Sequence, residues 1–179
     1  MPYSSCGTAI LKENYCSTGN DQMPDNSLDD NTGIRRTFGW REWVQLPELG
    51  LRNIKAKVDT GARTSALHAF EVRPFEEDGR QRVEFKIHPN QRDNDTVKVC
   101  VADVIDERVV RDSGGHSEKR WVIETPVRIG KQTWQIELTL TSRDDMIFRM
   151  LLGRTALRGR ALVDPSRSYR VGKRLKKKT

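Results

Sequence analysis

Between Phe38 and Val163 the chain alternates. Short segments in which every second residue is apolar are separated by turn-forming residues, and the helical period is nearly absent. Trp40, Glu42 and Val44 alternate with Arg41, Trp43 and Gln45, and Leu46-Pro47-Glu48-Leu49-Gly50 turns the chain into a return strand, Leu51 to Val58. Phe70–Phe75 and Arg82–Ile87 flank Asp78-Gly79, a common hairpin pair. Val97–Ile105 alternates again after a polar loop at Asn90–Asp95. Arg108–Arg111 and Trp121–Glu124 flank Asp112–Ser117, and Trp121–Ile129 and Thr133–Leu140 flank Gly130-Lys131-Gln132. Met146–Leu152, apolar apart from Arg149, is expected as one strand; Arg154–Arg158 as the single short helix, ended by Gly159; and Ala161–Val163 as a final short strand. Many short strands at close spacing give an all-β barrel or sandwich.

The chain has 179 residues, enough for one domain with tails. A hydrophobic content of 35% and a mean hydropathy of −0.72 imply that part of it stays outside the core. Residues 1–33 carry one base and five acids, a net of −4, without periodicity, and are expected to be disordered. Residues 34–169 form the expected domain. Residues 170–179 carry six bases and no acid, within an overall charge of +7. The most basic surface is therefore expected to be this short tail and not a folded groove. It reads as a solvated extension, with weak contact to RNA or an acidic partner as the other reading. No apolar run reaches membrane-spanning length and the first residues lack the pattern of a secretory signal, so the expected location is cytoplasmic, with no membrane partner. Cys6, Cys16 and Cys100 contain no CxxC and read as reduced thiols, with a Cys6–Cys16 bridge left open.

One turn interrupts the alternation in a costly way. Ile54, Ala56 and Val58 share a face of the strand that ends at Asp59-Thr60-Gly61-Ala62. A carboxylate at the end of a buried strand marks either a functional site or a capped turn in which Asp59 accepts backbone N–H groups. The triplet alone does not choose between them, since it arises by chance in roughly a few per cent of chains this long.

A second segment, Met150-Leu151-Leu152-Gly153-Arg154, is an apolar strand that runs into Gly-Arg and a short helix. With the hairpins between them, the two segments resemble the retropepsin group of aspartic proteases. Val58-Asp59-Thr60-Gly61-Ala62-Arg63-Thr64-Ser65-Ala66-Leu67-His68-Ala69, with Leu151-Leu152-Gly153-Arg154 and Ala161-Leu162-Val163-Asp164-Pro165, resembles more closely a bacterial retropepsin-like family labelled ATP-dependent zinc protease. The resemblance covers about residues 38–172.

It implies a mainly β, retropepsin-like closed barrel with one short helix near the C-terminal end. It also implies an aspartic endopeptidase acting on peptide or protein substrates. Asp59 would be the catalytic carboxylate, and because the chain has one Asp-Thr-Gly, the water-activating dyad would form across a homodimer axis. Thr60, Gly61 and Ala62 would build the active-site turn and lock the dimer, and Ser113, Gly114 and Gly115 would tip a flap. Leu152, Gly153 and Arg154 would support the turn. Many retropepsins carry a second Asp where this chain has Arg63, so Arg154 needs another partner here. A catalytically idle peptide-binding module of the same fold and a zinc-dependent protease are the alternatives. No cofactor is expected: there is no GxxxxGK[ST] loop and no HExxH. His68 and His116, with Cys100, are only scattered candidates for a metal.

Overall fold

A computed structural model of the chain describes residues 35–175, apart from 92, 94, 112–114, 116 and 143–146. The expectations for residues 1–33, Cys6, Cys16, Ser113, Gly114 and His116 lie outside the described residues.

The strands are β1 (Arg36–Gly39), β2 (Arg41–Leu46), β3 (Leu51–Val58), β4 (Ser65–His68), β5 (Phe70–Glu77), β6 (Arg80–Ile87), β7 (Lys98–Arg111), β8 (Ser117–Ile129) and β9 (Gln132–Thr141). They are followed by β10 (Met150–Leu152), one short helix, α1 (Arg154–Leu157), and β11 (Ala161–Asp164). Six strands close a barrel in the order β2-β3-β10-β4-β9-β8, and the ring is completed where Gln45 of β2 pairs with Arg128 of β8. Strands β7, β6 and β5 continue outward from β8 as an antiparallel flange. β1 and β11 form a separate parallel pair. The fold is the mainly β closed barrel with one short helix that the sequence leads one to expect.

Alternation sets which side chains fill it. On β3, Leu51, Ile54, Ala56 and Val58 are buried while Arg52 and Lys57 are exposed. Phe38, Leu46, Leu67, Ile123, Leu138 and Leu152 are almost wholly removed from water, each contributing roughly 1.5–3 kcal/mol of transfer free energy. Asp78 (φ +53°) and Gly79 (φ +70°) both adopt the left-handed backbone that a two-residue hairpin needs between right-twisted strands.

The structure departs from the sequence expectation at β7, which runs unbroken from Lys98 to Arg111 where two segments are expected, at β10 and at the C-terminal segment. Of the strand expected over Met146–Leu152, the described residues form strand only at Met150–Leu152, the stretch that reaches partners on both sides, β3 in parallel and β4 antiparallel. Ile147 is 75% exposed. The start of the basic C-terminal segment is not a solvated extension. Glu42, fully buried, accepts N–H bonds from Gly39 (2.7 Å), Arg170 (2.9 Å), Val171 (3.2 Å) and Gly172 (2.8 Å). Farther on, Asn53 exchanges two hydrogen bonds with the backbone of Leu175. Among the described residues no helix is long and apolar enough to cross a membrane.

Candidate functional site

The Asp-Thr-Gly turn sits where β3 ends against β10 and α1. Val58 pairs with Leu152, and the Asp59 N–H donates to the Leu152 carbonyl at 2.8 Å. Asp59 Oδ1 accepts the N–H groups of Gly61 (3.0 Å) and Ala62 (3.2 Å), so this carboxylate caps its own turn. Arg154 finds its partner in the backbone: one guanidinium nitrogen donates to the carbonyls of Thr60 (2.9 Å) and Gly61 (2.8 Å). The Arg154 N–H donates to Ala62, and Thr155 donates both its N–H and its hydroxyl to Arg63. A Cβ on Gly153 would lie 2.5 Å from the Thr64 carbonyl carbon, which is why the apolar strand must end in glycine there. Ser65 Oγ, buried, accepts the Gly153 N–H at 3.1 Å. The structure thus brings Asp59, Thr60, Gly61 and Ala62 together with Leu152, Gly153 and Arg154, as the two-segment reading expects.

A cleft of about 1160 Å³ opens beside this turn. Asp59, Arg63, Arg108, Arg111, Arg120 and Glu137 are among its lining residues. Arg108 and Arg120 face each other across the β7–β8 pair. Arg108 is clamped by Glu137 and Asp106, both at 2.5 Å. The Arg108 hydrogen bond holds the Glu137 carboxyl below its ordinary range, and Glu137 in turn holds the guanidinium more firmly protonated. Arg120, only 8% exposed, donates to Glu118 at 2.8 Å. Arg63 also helps to hold the Glu137 carboxyl low through its charge, and Arg111 donates to the Ser117 hydroxyl at 3.4 Å, but neither forms an ion pair among the described residues. Positive charge is therefore gathered in a folded cleft as well as in the C-terminal segment. Arg108, Arg111 and Arg120 carry no local motif. Their only sequence signal is their place near the tip of one hairpin, and the register that joins them is a tertiary fact.

The remaining candidates are dispersed. Gly115 (φ +85°) is exposed between β7 and β8, at the tip of the hairpin whose outer part lines the cleft. His68 is buried on β4, its N–H donating to Arg149. Cys100 is a buried thiol against the Leu49 carbonyl, and burial pushes its pKa up. No three His, Cys, Asp or Glu side chains among the described residues stand together as a metal cage.

Comparison with known proteins adds the rest. The family described as "Retropepsin-like aspartic endopeptidase RimB" matches residues 37–174. The chain belongs to this RimB-like family. Among solved structures, a Legionella pneumophila protein of unknown function has the same fold, with a TM-score of 0.64, 23% identity, and coverage of 76% of this chain and 98% of that one. Curated relatives carry a different activity in their names. A Desulfotalea psychrophila protein is 46% identical over 77% of this RimB-like chain, and a Shewanella pealeana protein 46% over 82%. A Parasynechococcus marenigrum protein is 48% identical over 75%. Each is named a probable alpha-L-glutamate ligase. The chain spans about 30% of their length (30%, 31% and 29%).

These relatives overturn the expected endopeptidase, and with it the hydrolase, aspartic-peptidase and proteolysis assignments. They are named for joining glutamate, the reverse of cutting a peptide. The geometry accords with that correction. The chain supplies one carboxylate at the turn, with one of its oxygens engaged in capping, and the cleft beside it carries Arg63 and Arg111 as well as the exposed Glu124.

Proposed function

We propose that this RimB-like domain serves α-L-glutamate ligation by holding the glutamyl peptide that such a ligase extends. The observation that carries the reading is a pair of guanidinium groups in a cleft beside the Asp59 turn, Arg63 and Arg111, neither of which is in an ion pair among the described residues. Guanidinium groups take carboxylates in a forked, charge-assisted geometry, and a run of glutamates presents carboxylates in series. Arg108 and Arg120 already bind Glu137 and Glu118, so the cleft is built to accommodate carboxylates against arginine. The names of the curated relatives supply the identity of the amino acid. The bond-forming chemistry is assigned to the rest of such proteins, since this chain matches about 30% of their length. Asp59 keeps the turn rigid and holds Arg63 at the cleft edge. The exposed Thr60-Gly61 edge supports a homodimer as the assembly, and the free thiol of Cys100 suits a cytoplasmic setting.

The test is fluorescence polarisation with a labelled peptide ending in four to six α-linked glutamates, against an alanine peptide of equal length. The glutamyl peptide should bind selectively, and Arg63→Ala or Arg111→Ala should each weaken it roughly three- to tenfold, as expected for loss of one partly exposed charged hydrogen bond. Equal binding of the two peptides, or variants that bind like the parent, would overturn the reading.

A further inference from the structure

A second groove, of about 710 Å³, lies on the solvent side of β2 and β3 and has no part in the glutamyl-peptide reading. Trp40, Arg41, Trp43, Lys55, Phe148 and Arg174 line it. Its cations are positioned in an unusual way. The Arg41 guanidinium lies 4.5 Å from the Trp40 ring centroid and 5.1 Å from that of Tyr169. Lys55 Nζ and the Arg174 guanidinium lie 5.2 and 5.5 Å from the Trp43 ring. Aromatic faces thus hold these three cations in place, and none of the three has a carboxylate partner among the described residues. An ion pair would have cancelled their charge, whereas a π face leaves it available.

Acid is sparse on this face. Glu42 is the one acid in β2 and β3, and it is turned wholly inward onto the C-terminal backbone. Asp93 lines the groove, but its oxygens already accept from Asn90, from the N–H groups of Asp95 and Thr96, and from the Thr96 hydroxyl. Lys57, opposite Arg41 in the β2–β3 register, adds an exposed cation to the same row. The C-terminal segment is tied along this edge by Glu42 and Asn53, so that Arg174 is delivered to the groove, and Lys176-Lys177-Lys178 follow it in the sequence.

We propose that this groove binds single-stranded RNA, with Arg41, Lys55 and Arg174 meeting the phosphates. A phosphodiester chain supplies the repeated, closely spaced negative charge that a row of unpaired cations neutralises with release of counterions. Aromatic edges among the cations, as at Trp40 and Phe148, are the usual surroundings of unstacked bases. RNA is favoured over DNA by Asn90 and Gln91. Each commits one amide N–H elsewhere, to Asp93 and to the Ile147 carbonyl, which orients the side-chain carbonyl as an acceptor for a 2′-hydroxyl.

The experiment is fluorescence anisotropy of the full chain with a labelled twelve-residue oligouridylate, repeated with the matching DNA and with a duplex RNA, over a salt series. Lys55→Ala, Arg174→Ala and the double variant are compared with Arg63→Ala, which alters only the other cleft. Single-stranded RNA should bind most tightly. Each groove variant should weaken it several-fold and lower the slope of log K against log salt by about 0.7, while Arg63→Ala leaves it unchanged. Circular dichroism establishes that the variants fold. No saturable binding at low salt, binding untouched by the groove variants, or equal binding of an oligoglutamate competitor would each overturn the proposal. The last outcome would identify the groove as an acidic-peptide site.

Discussion

The Arg154 guanidinium reaches back across 93 residues to donate to the Gly61 carbonyl at 2.8 Å. It bonds Thr60 with the same nitrogen and thereby fixes the Asp59 turn against α1. In a chain with arginine at position 63, backbone carbonyls replace the carboxylate partner that many retropepsins place there. Arg154→Ala should loosen the turn more than it unfolds the protein, since the bonds are exposed. A loss of about 1 kcal/mol, or a drop in Tm of roughly 2–4 °C, is expected by differential scanning fluorimetry. The sharper readout is hydrogen exchange: the Gly61 and Ala62 amides, held by Asp59, should exchange faster in the variant.

Glu42→Gln should be far more costly. The buried carboxyl group accepts from four backbone N–H groups, and an amide would turn a donor toward some of them. About 3 kcal/mol of destabilisation is expected from a urea titration. Trypsin should cut faster at Arg170, Lys173 and Arg174 in the variant, because the segment they occupy loses its anchor.

Gly153→Ala tests the close approach of α1 to the chain after the Asp-Thr-Gly turn. A Cβ there would meet the Thr64 and Arg63 backbone, which cannot move aside as a flexible side chain could. Overpacking of this kind typically costs about 1–3 kcal/mol. The variant should show a lower urea midpoint with an unchanged m-value.

The Arg108–Glu137 clamp predicts an acid dependence. The folded protein holds the Glu137 carboxyl below its ordinary pKa through the Arg108 hydrogen bond, so the unfolded chain binds this proton more readily. The stabilisation is present above the unfolded value and is lost as pH falls through the folded one. Wild type should therefore exceed Glu137→Gln in stability at neutral pH, and the two curves should converge in acid. Glu137 is 40% exposed, so salt should narrow the gap as well.

Much of the barrel could be read from alternation alone. Leu51–Val58 and the Asp78-Gly79 hairpin follow from residue period and from the few residues that tolerate left-handed backbone, both of which are local properties. The apolar run Ile147–Leu152 exceeds its strand for the same reason: apolar character is local, whereas a strand needs neighbours, and among the described residues only Met150–Leu152 lies between β3 and β4. The alternation that put Glu42 on the face of Val44 was correct, yet a charged residue on a buried face makes sense only once the C-terminal backbone is seen to meet it.

The sequence by itself determined most of the strands, the turn at Asp59 and the two segments that build it, because period, turn chemistry and a long family-like string reside in neighbouring residues. The tertiary structure alone decided which charges remain free. Arg108 and Arg120 are neutralised by acids, Arg63 and Arg111 are left to the cleft, and Arg41, Lys55 and Arg174 rest on aromatic faces. Composition counts charges but cannot pair them; pairing depends on strand register and on where a distant segment docks, and those are settled only when the chain closes on itself.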